Sequence, residues 1–148
     1  MALHGWLVDL CKENDLEIAR EKTAEEIFHF IVSNNAVNIQ DQDGTTALMF
    51  AAYVGNAAIC HQLIDGGADI NLQDKVGCSA LHWAATRGHS ACCNLLVDAG
   101  SDINIQDRNG STPLMKAAYN GFHEVCLVLL NKGADANQQN KVLSHIVF

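Results

Sequence analysis

Positive charge and long apolar runs are both scarce in this chain. Its 148 residues hold 9 Lys and Arg against 17 Asp and Glu, which gives a formal net charge of −8. A surface that follows nucleic-acid phosphates needs a basic face, so we expect no nucleic-acid partner. No apolar stretch approaches the roughly 18 residues that cross a bilayer, so we expect no membrane insertion.

Signals for export are missing as well. The first residues, MALHGWLVDLCKENDLE, have no basic segment ahead of an apolar one, so they do not resemble a secretory signal. Six cysteines could form three disulfides, but a chain with 49% apolar residues can build a core that is stable without disulfides. We therefore expect a reduced intracellular protein, cytoplasmic with the nucleus as the alternative location.

What the chain has in abundance is repetition. Aligned against itself with a 33-residue shift, it gives three matching blocks, 41–73, 74–106 and 107–139. Several positions are identical in all three blocks: Asp41/Asp74/Asp107, Gly44/Gly77/Gly110, Leu48/Leu81/Leu114, Gly55/Gly88/Gly121, Leu63/Leu96/Leu129 and Asn71/Asn104/Asn137. One supersecondary unit is therefore repeated, and neighbouring units are expected to stack.

Each block carries the same local signals. An Asp-x-x-Gly turn opens it, and a hydroxyl residue (Thr46, Ser79, Thr112) follows as the N-cap of a first helix. Pro113 suits the first position of such a helix. An Ala-Ala pair leaves room for a second helix to pack closely, and glycines end both helices. The sequence predicts a turn, a helix, a turn, a helix and an extended link.

These residues resemble the ankyrin-repeat family. The similarity rests on TALMFAA, SALHWAA and TPLMKAA, followed by LIDGGADIN, LVDAGSDIN and LLNKGADAN, and it covers all of 41–139. It implies an all-α solenoid of helix-turn-helix units joined by β-turn fingers. Ala47 and Ala80 replace the family's proline and only His82 keeps its histidine, so the histidine–turn hydrogen bond is expected in the second repeat alone.

We interpret the whole chain, residues 1–148, as one domain. We interpret 1–40 as a degenerate N-terminal capping repeat, with a helix that begins at Thr23, where Thr23 and Glu26 form a capping box, and an extra helix at 6–11. Residues 140–148 start a fourth turn without its glycine. They are either a minimal cap that packs Val142, Leu143 and Ile146 on the third repeat, or the start of a further repeat in a longer protein. We favour the second alternative, because a missing cap exposes apolar surface.

The segment GCSALHWAATRGH (77–89) raises the question of metal or nucleophile chemistry. The other two blocks have no Cys or His at the positions equivalent to Cys78, His82 and His89, and the chain has no C-x-x-C pair. The cysteines that do recur, Cys60, Cys93 and Cys126, fall on the core face of the second helix, where a thiol is a small apolar filler. We therefore expect no metal site, no cofactor, no catalytic residue and no enzyme activity.

The resemblance implies a protein-protein interaction module that binds through its concave face. Positions on the turns and first helices that differ between blocks are the candidate contacts, because they do not perform the shared structural role. Four of the nine such helix positions are aromatic, in a chain with 6% aromatics. The candidate partner-binding residues are Asp43, Phe50, Tyr53, Lys75, Trp83, Arg87, Arg108, Lys116 and Tyr119.

Four of these residues are basic, so the complementary partner is a protein segment with apolar residues and some acids. We expect a monomeric, non-catalytic adaptor, scaffold or inhibitor. The first alternative is the targeting module of a larger multidomain protein, and the second is a metal or redox protein using Cys78, His82, His89, Cys92 and Cys93. The resemblance also implies that Asn71, Asn104 and Asn137 are substrates of an asparaginyl hydroxylase; the alternative is a purely structural role in the turns.

Overall fold

A computed structural model of the chain describes residues 37–140. Its six helices come in three pairs, which we number in chain order: α1 (Ala47–Val54) with α2 (Ala57–Asp65), α3 (Ala80–Arg87) with α4 (Ser90–Asp98), and α5 (Pro113–Tyr119) with α6 (His123–Asn131). The described residues contain no β-strand. The expected capping repeat before residue 37, with its helices at 6–11 and from Thr23, lies outside them, as does the partial repeat after residue 140.

The first helix of each pair begins where the sequence places its cap. The side chains of Thr46, Ser79 and Thr112 each accept a hydrogen bond from the backbone N–H three residues later, and Pro113 occupies the first turn of α5. Gly55 and Gly88 end α1 and α3 in the left-handed conformation, with φ of 83° and 79°. The hydroxyl caps, the proline position and these two glycine caps are confirmed.

The second helices end slightly earlier than the glycine pattern predicts. α2, α4 and α6 stop at Asp65, Asp98 and Asn131, two residues before the positive-φ glycines at 67, 100 and 133. Each glycine lies just beyond the helix and turns the chain towards the link that follows. The predicted turn is present, and only the boundary differs.

The helices stack in two rows. α1, α3 and α5 pack side by side in one row, and α2, α4 and α6 form the second. The alanine pairs 51–52 and 84–85 are completely buried between successive first helices, and Leu48 and Leu81 lie beside them. Because alanine has no bulk beyond Cβ, adjacent first helices approach closely, as the sequence predicts.

Short hairpin-like turns connect the repeats, and we call these turns the fingers (41–45, 74–78 and 107–111). In each finger the aspartate N–H donates to the backbone oxygen four residues on, and the glycine N–H donates back to the aspartate carbonyl. Neighbouring fingers are joined by single backbone bonds, Lys75 N–H to the Asp43 carbonyl (2.9 Å) and Arg108 N–H to the Val76 carbonyl (3.0 Å). The fingers therefore form a continuous edge beside the first helices.

Candidate protein-binding groove

A groove of about 380 Å³ lies between the fingers and first helices of the first two described repeats. We call it the finger groove. Its lining is mostly apolar or aromatic, with charged groups at the finger side. The lining residues are Asp43, Thr45, Met49, Phe50, Tyr53, Asp74, Lys75, Val76 and Trp83. A concave, apolar site with a few placed polar groups is the usual form of a recognition site.

The groove is shaped by a cluster of three side chains from two repeats. The rings of Tyr53 and Trp83 meet edge to face, with centroids 5.8 Å apart and planes at 74°. The guanidinium carbon of Arg87 lies 4.7 Å from the centre of the Tyr53 ring. Edge-to-face and cation–π contacts hold such side chains in defined positions. The cluster therefore presents a preorganised surface.

Trp83 is also fixed to its own finger. Its indole N–H donates to Oδ2 of Asp74 at 3.0 Å, and Oδ1 of Asp74 accepts the N–H groups of Val76 and Cys78 at 3.0 and 2.8 Å. Both carboxylate oxygens are thus occupied. The finger and the helix that border the groove are joined by one carboxylate, so the groove wall is held on two sides.

The same register carries a different pair in the third repeat. Lys116 stands where Trp83 stands, and its ammonium lies 2.8 Å from Oδ2 of Asp107. Burial alone raises the pKa of Asp107, but hydrogen bonds from Lys116 and from the N–H groups of Ser111 and Asn109 outweigh it, and the pKa lies below its ordinary value. Lys116 therefore binds the finger of its own repeat, and its charge is neutralised there.

Of the nine predicted contact residues, the structure brings five together in the finger groove: Asp43, Phe50, Tyr53, Lys75 and Trp83. Arg87 joins them through the Tyr53 ring. Arg108, Lys116 and Tyr119 belong to the third repeat and do not line the groove. Tyr119 is 92% exposed. The candidate contacts expected on the concave face therefore divide between a groove over two repeats and separate positions on the third.

Four lining residues, Thr45, Met49, Asp74 and Val76, were not among the nine predicted contacts. Asp74 is identical in every block, so its repetition suggested a turn residue only, yet it also holds the Trp83 indole. Val76 is 55% exposed at a finger tip, where the other blocks have Asp43 and Asn109. Variation between the blocks already marks Val76 as a variable turn position, although it was not one of the nine candidate contacts.

His82 forms the expected histidine–turn bond. The Ser79 N–H donates to Nδ1 at 3.1 Å, which leaves the proton on Nε2, and Nε2–H donates to the Ser111 carbonyl of the next finger at 2.9 Å. Burial lowers the pKa of His82 below its ordinary value. In the first repeat Met49 fills this position and its sulfur accepts the Thr46 N–H. His82 thus has a structural role between repeats.

The five cysteines within residues 37–140 are distributed over the three second helices and one finger. Cys60, Cys92 and Cys93 are completely buried and Cys78 nearly so, while Cys126 is half-buried. Burial raises the pKa of Cys78 to about 11 and that of Cys93 to about 12. Within residues 37–140, no three His, Cys, Asp or Glu side chains are grouped to hold a metal ion.

The repeated asparagines connect successive repeats. Oδ1 of Asn71 accepts the N–H of Asp102, and Oδ1 of Asn104 accepts the N–H of Asp135, both at 2.8 Å. Asn38 makes the same bond to Asp69 one repeat earlier. These side chains therefore fix the links between repeats. Hydroxylation of Asn71, Asn104 and Asn137 stays a prediction, which mass analysis of protein from its native source would test.

Comparison with known proteins agrees with this architecture. The family profile for ankyrin repeats (3 copies) matches residues 16–107 and 55–140. The chain belongs to the ankyrin-repeat family. Members of this family are generally protein-protein interaction modules and are typically non-catalytic. A search of curated proteins finds no match. No helix among residues 37–140 is long and apolar enough to cross a membrane.

Proposed function

We propose that this ankyrin-repeat domain is a non-catalytic binding module that holds a protein partner in the finger groove. The observation that supports this most is the Tyr53–Trp83–Arg87 cluster, whose two aromatic rings line the groove. Tyr, Trp and Arg are the residue types that dominate interface energetics, and here they are fixed before any partner arrives. The domain would act by recruiting or occluding that partner, as an adaptor, scaffold or inhibitor.

The buried framework around the groove supports a scaffold without chemistry of its own. Four of the five described cysteines are buried. Burial raises the pKa of Cys78 to about 11 and that of Cys93 to about 12, so these two thiols are poor nucleophiles at neutral pH. His82 is engaged at both ring nitrogens. A groove lined by aromatic rings and a finger carboxylate suits recognition better than catalysis.

We further propose that the module acts as an intracellular monomer, located in the cytoplasm or the nucleus. The alternative remains the targeting domain of a larger protein whose activity resides in other domains. Intact mass and full-length transcript from the native source distinguish the two. Detection of one longer product that contains this sequence would favour the targeting domain.

Affinity capture from native cytosol tests the binding proposal. The wild-type chain is compared with Tyr53→Ala/Trp83→Ala and with Leu127→Ala, which removes an exposed apolar side chain from α6, in the second row of helices. We expect a partner that binds the wild type and Leu127→Ala and is lost with the groove variant. A partner retained equally by all three proteins would contradict the groove assignment, provided that the groove variant still unfolds cooperatively.

A further inference from the structure

Cationic side chains line up along the finger tips beside the finger groove. The residue after each finger aspartate is Gln42, Lys75 or Arg108, and all three are exposed. The bonds between neighbouring fingers, Lys75 N–H to Asp43 and Arg108 N–H to Val76, place these residues in successive equivalent positions. Each side chain of the row can therefore donate a hydrogen bond to a carboxylate, and Lys75 and Arg108 also carry a positive charge.

The two cations of this row are available to a partner. Lys116 is paired with Asp107, and Arg87 lies over the Tyr53 ring. Lys75 and Arg108, in contrast, form no ion pair with any residue in the described range 37–140. Two such cations side by side stand out on a chain with a net charge of −8. An acidic segment would meet attraction here and repulsion from most of the remaining surface.

Lys75 also belongs to the groove itself. It lines the apolar space together with Phe50, Val76 and Trp83, so the apolar site and the cationic row share a border. Arg108 occupies the equivalent position one repeat further along, in the third repeat. A segment that reaches both would place an apolar side chain in the groove and continue along the finger tips.

The repeat geometry sets the spacing of the acids. Packed helices are about 8–10 Å apart, which is the approximate step from Lys75 to Arg108. An extended chain advances about 3.3 Å per residue, so three residues cover this step. Carboxylates three positions apart would therefore face Lys75 and Arg108 in turn.

From this arrangement, and resting on the proposed function, we infer that the occupant of the finger groove is an extended acidic peptide segment of a partner. It inserts one bulky apolar side chain into the groove, against the Phe50, Tyr53 and Trp83 rings that line it. It then places two carboxylates, three residues apart, on Lys75 and Arg108. The apolar side chain provides the anchor, and the carboxylates fix direction and select against basic or neutral segments.

Three matched pools of fluorescein-labelled dodecapeptides test this inference by fluorescence anisotropy. All contain one Leu, Phe or Met followed by uncharged small residues. The first pool has two Asp or Glu three positions apart, the second has Asn or Gln in their place, and the third has the two acids adjacent. We expect the first pool to bind the wild-type chain about tenfold more tightly than the second, since two exposed ion pairs together contribute about that factor, and about threefold more tightly than the third, whose adjacent acids reach only one of the two cations.

Two charge-matched variants supply the control. Lys75→Gln/Arg108→Gln introduces the residue that the row already has at position 42, and Asn94→Glu/Leu127→Glu places two charges on exposed positions of α4 and α6. Each lowers the net charge by two. We expect the first variant to lose the tenfold preference for the acidic pool and the second to keep that preference within about twofold.

The outcomes separate this inference from the proposed function. If the amide pool binds as tightly as the acidic pool and both are lost with Tyr53→Ala/Trp83→Ala, the groove binds peptides but the acidic occupant is wrong. If no pool binds while the captured partner still depends on Tyr53 and Trp83, the occupant is not an extended peptide. If no peptide binds, and the chain self-associates in a way that Lys75→Gln/Arg108→Gln abolishes, the occupant of the groove is a second copy of this chain and not an acidic peptide. If Tyr53→Ala/Trp83→Ala still binds the peptides and the captured partner as the wild type does, both the acidic occupant and the proposed binding site are wrong.

Discussion

The Trp83 indole N–H donates to the Asp74 carboxylate, at the same register where the Lys116 ammonium pairs with Asp107 one repeat later. Two chemically different side chains thus join a first helix to its finger through the same aspartate. In the second repeat this bond also positions an aromatic wall of the finger groove. Trp83 therefore contributes to stability through its N–H and to recognition through its ring. A substitution that keeps the ring but removes the N–H can separate the two effects.

Trp83→Phe should separate them. The variant retains an aromatic ring but leaves Oδ2 of Asp74 without its donor, so we expect the free energy of unfolding to fall by about 1–2 kcal/mol. Binding to the groove should weaken less than with Trp83→Ala, because most of the ring surface remains. Urea unfolding followed by circular dichroism measures the first effect. An unchanged midpoint would show that the indole bond adds nothing to stability.

Lys116→Met tests the corresponding bond in the third repeat. The carboxylate of Asp107 is almost fully buried, so removal of its cation should cost about 1–3 kcal/mol at neutral pH. The low pKa of Asp107 stabilises the fold above the ordinary value of 3.8, and this contribution is lost as the pH falls through that value to the folded-state pKa. The variant should therefore lose less stability than the wild type on acidification below pH 4. Parallel pH profiles would contradict the assignment.

His82→Met tests the neutral histidine. The lowered pKa means that the unfolded chain takes up a proton near pH 6.5 before the folded chain does, so wild-type stability falls as the pH drops below that value. Methionine occupies this position in the other two repeats and does not titrate. At pH 8 the variant should be about 1–2 kcal/mol less stable, because it lacks the bond to Ser111. This difference should shrink towards pH 5. A constant difference across the range would show that His82 does not titrate with folding.

Three glycines in equivalent positions test the contacts between repeats. Gly55, Gly88 and Gly121 all have positive φ, but an added Cβ would lie 2.5 Å from the His89 ring at Gly55 and 2.6 Å from the Phe122 ring at Gly88. At Gly121 it would meet nothing within 4 Å. We expect Gly121→Ala to cost about 1 kcal/mol for backbone strain alone. Gly55→Ala and Gly88→Ala should each cost a further 1–3 kcal/mol, approximately, from overpacking. Thermal unfolding of the three variants measures this, and equal losses would contradict the ring contacts.

Thiol labelling tests the role of the cysteines. Because Cys60, Cys78, Cys92 and Cys93 are buried, a maleimide at pH 8 should modify them only after unfolding. Cys126 is half-buried, since no described repeat covers it, and should react first among the five. Peptide mapping by mass spectrometry reads out each site. Rapid labelling of Cys78 or Cys93 in the folded protein would revive a reactive-thiol function.

Local signals were sufficient to predict the repeat framework. The hydroxyl caps, Pro113, the alanine pairs and the positive-φ glycines act within a few residues of their own position, so their roles can be identified from sequence spacing. The bond from His82 to the next finger was predicted through the family resemblance. The second helices end two residues before the position that the glycines predict, because each positive-φ glycine lies in the turn after the helix and not at its end.

The candidate site was less predictable because it depends on contacts between repeats. Variation among the blocks identified Tyr53, Trp83 and Arg87, but it could not show that Arg87 of one repeat lies over Tyr53 of the preceding one. Nor could it show that Lys116 is neutralised by Asp107, whereas Lys75 and Arg108 form no ion pair within the described residues. These differences arise from three-dimensional neighbours, and they decide which basic residues are available to a partner.

Hydrogen–deuterium exchange of the complex with the captured partner tests the central claim most directly. A partner held in the finger groove should give new protection in the fingers and first helices of the first two described repeats, residues 42–53 and 75–87. Exchange in α2 and α4, Ala57–Asp65 and Ser90–Asp98, should be nearly unchanged. Protection confined to those second helices, with the finger groove still exchanging as in the free chain, would contradict the assignment of the finger groove as the binding site.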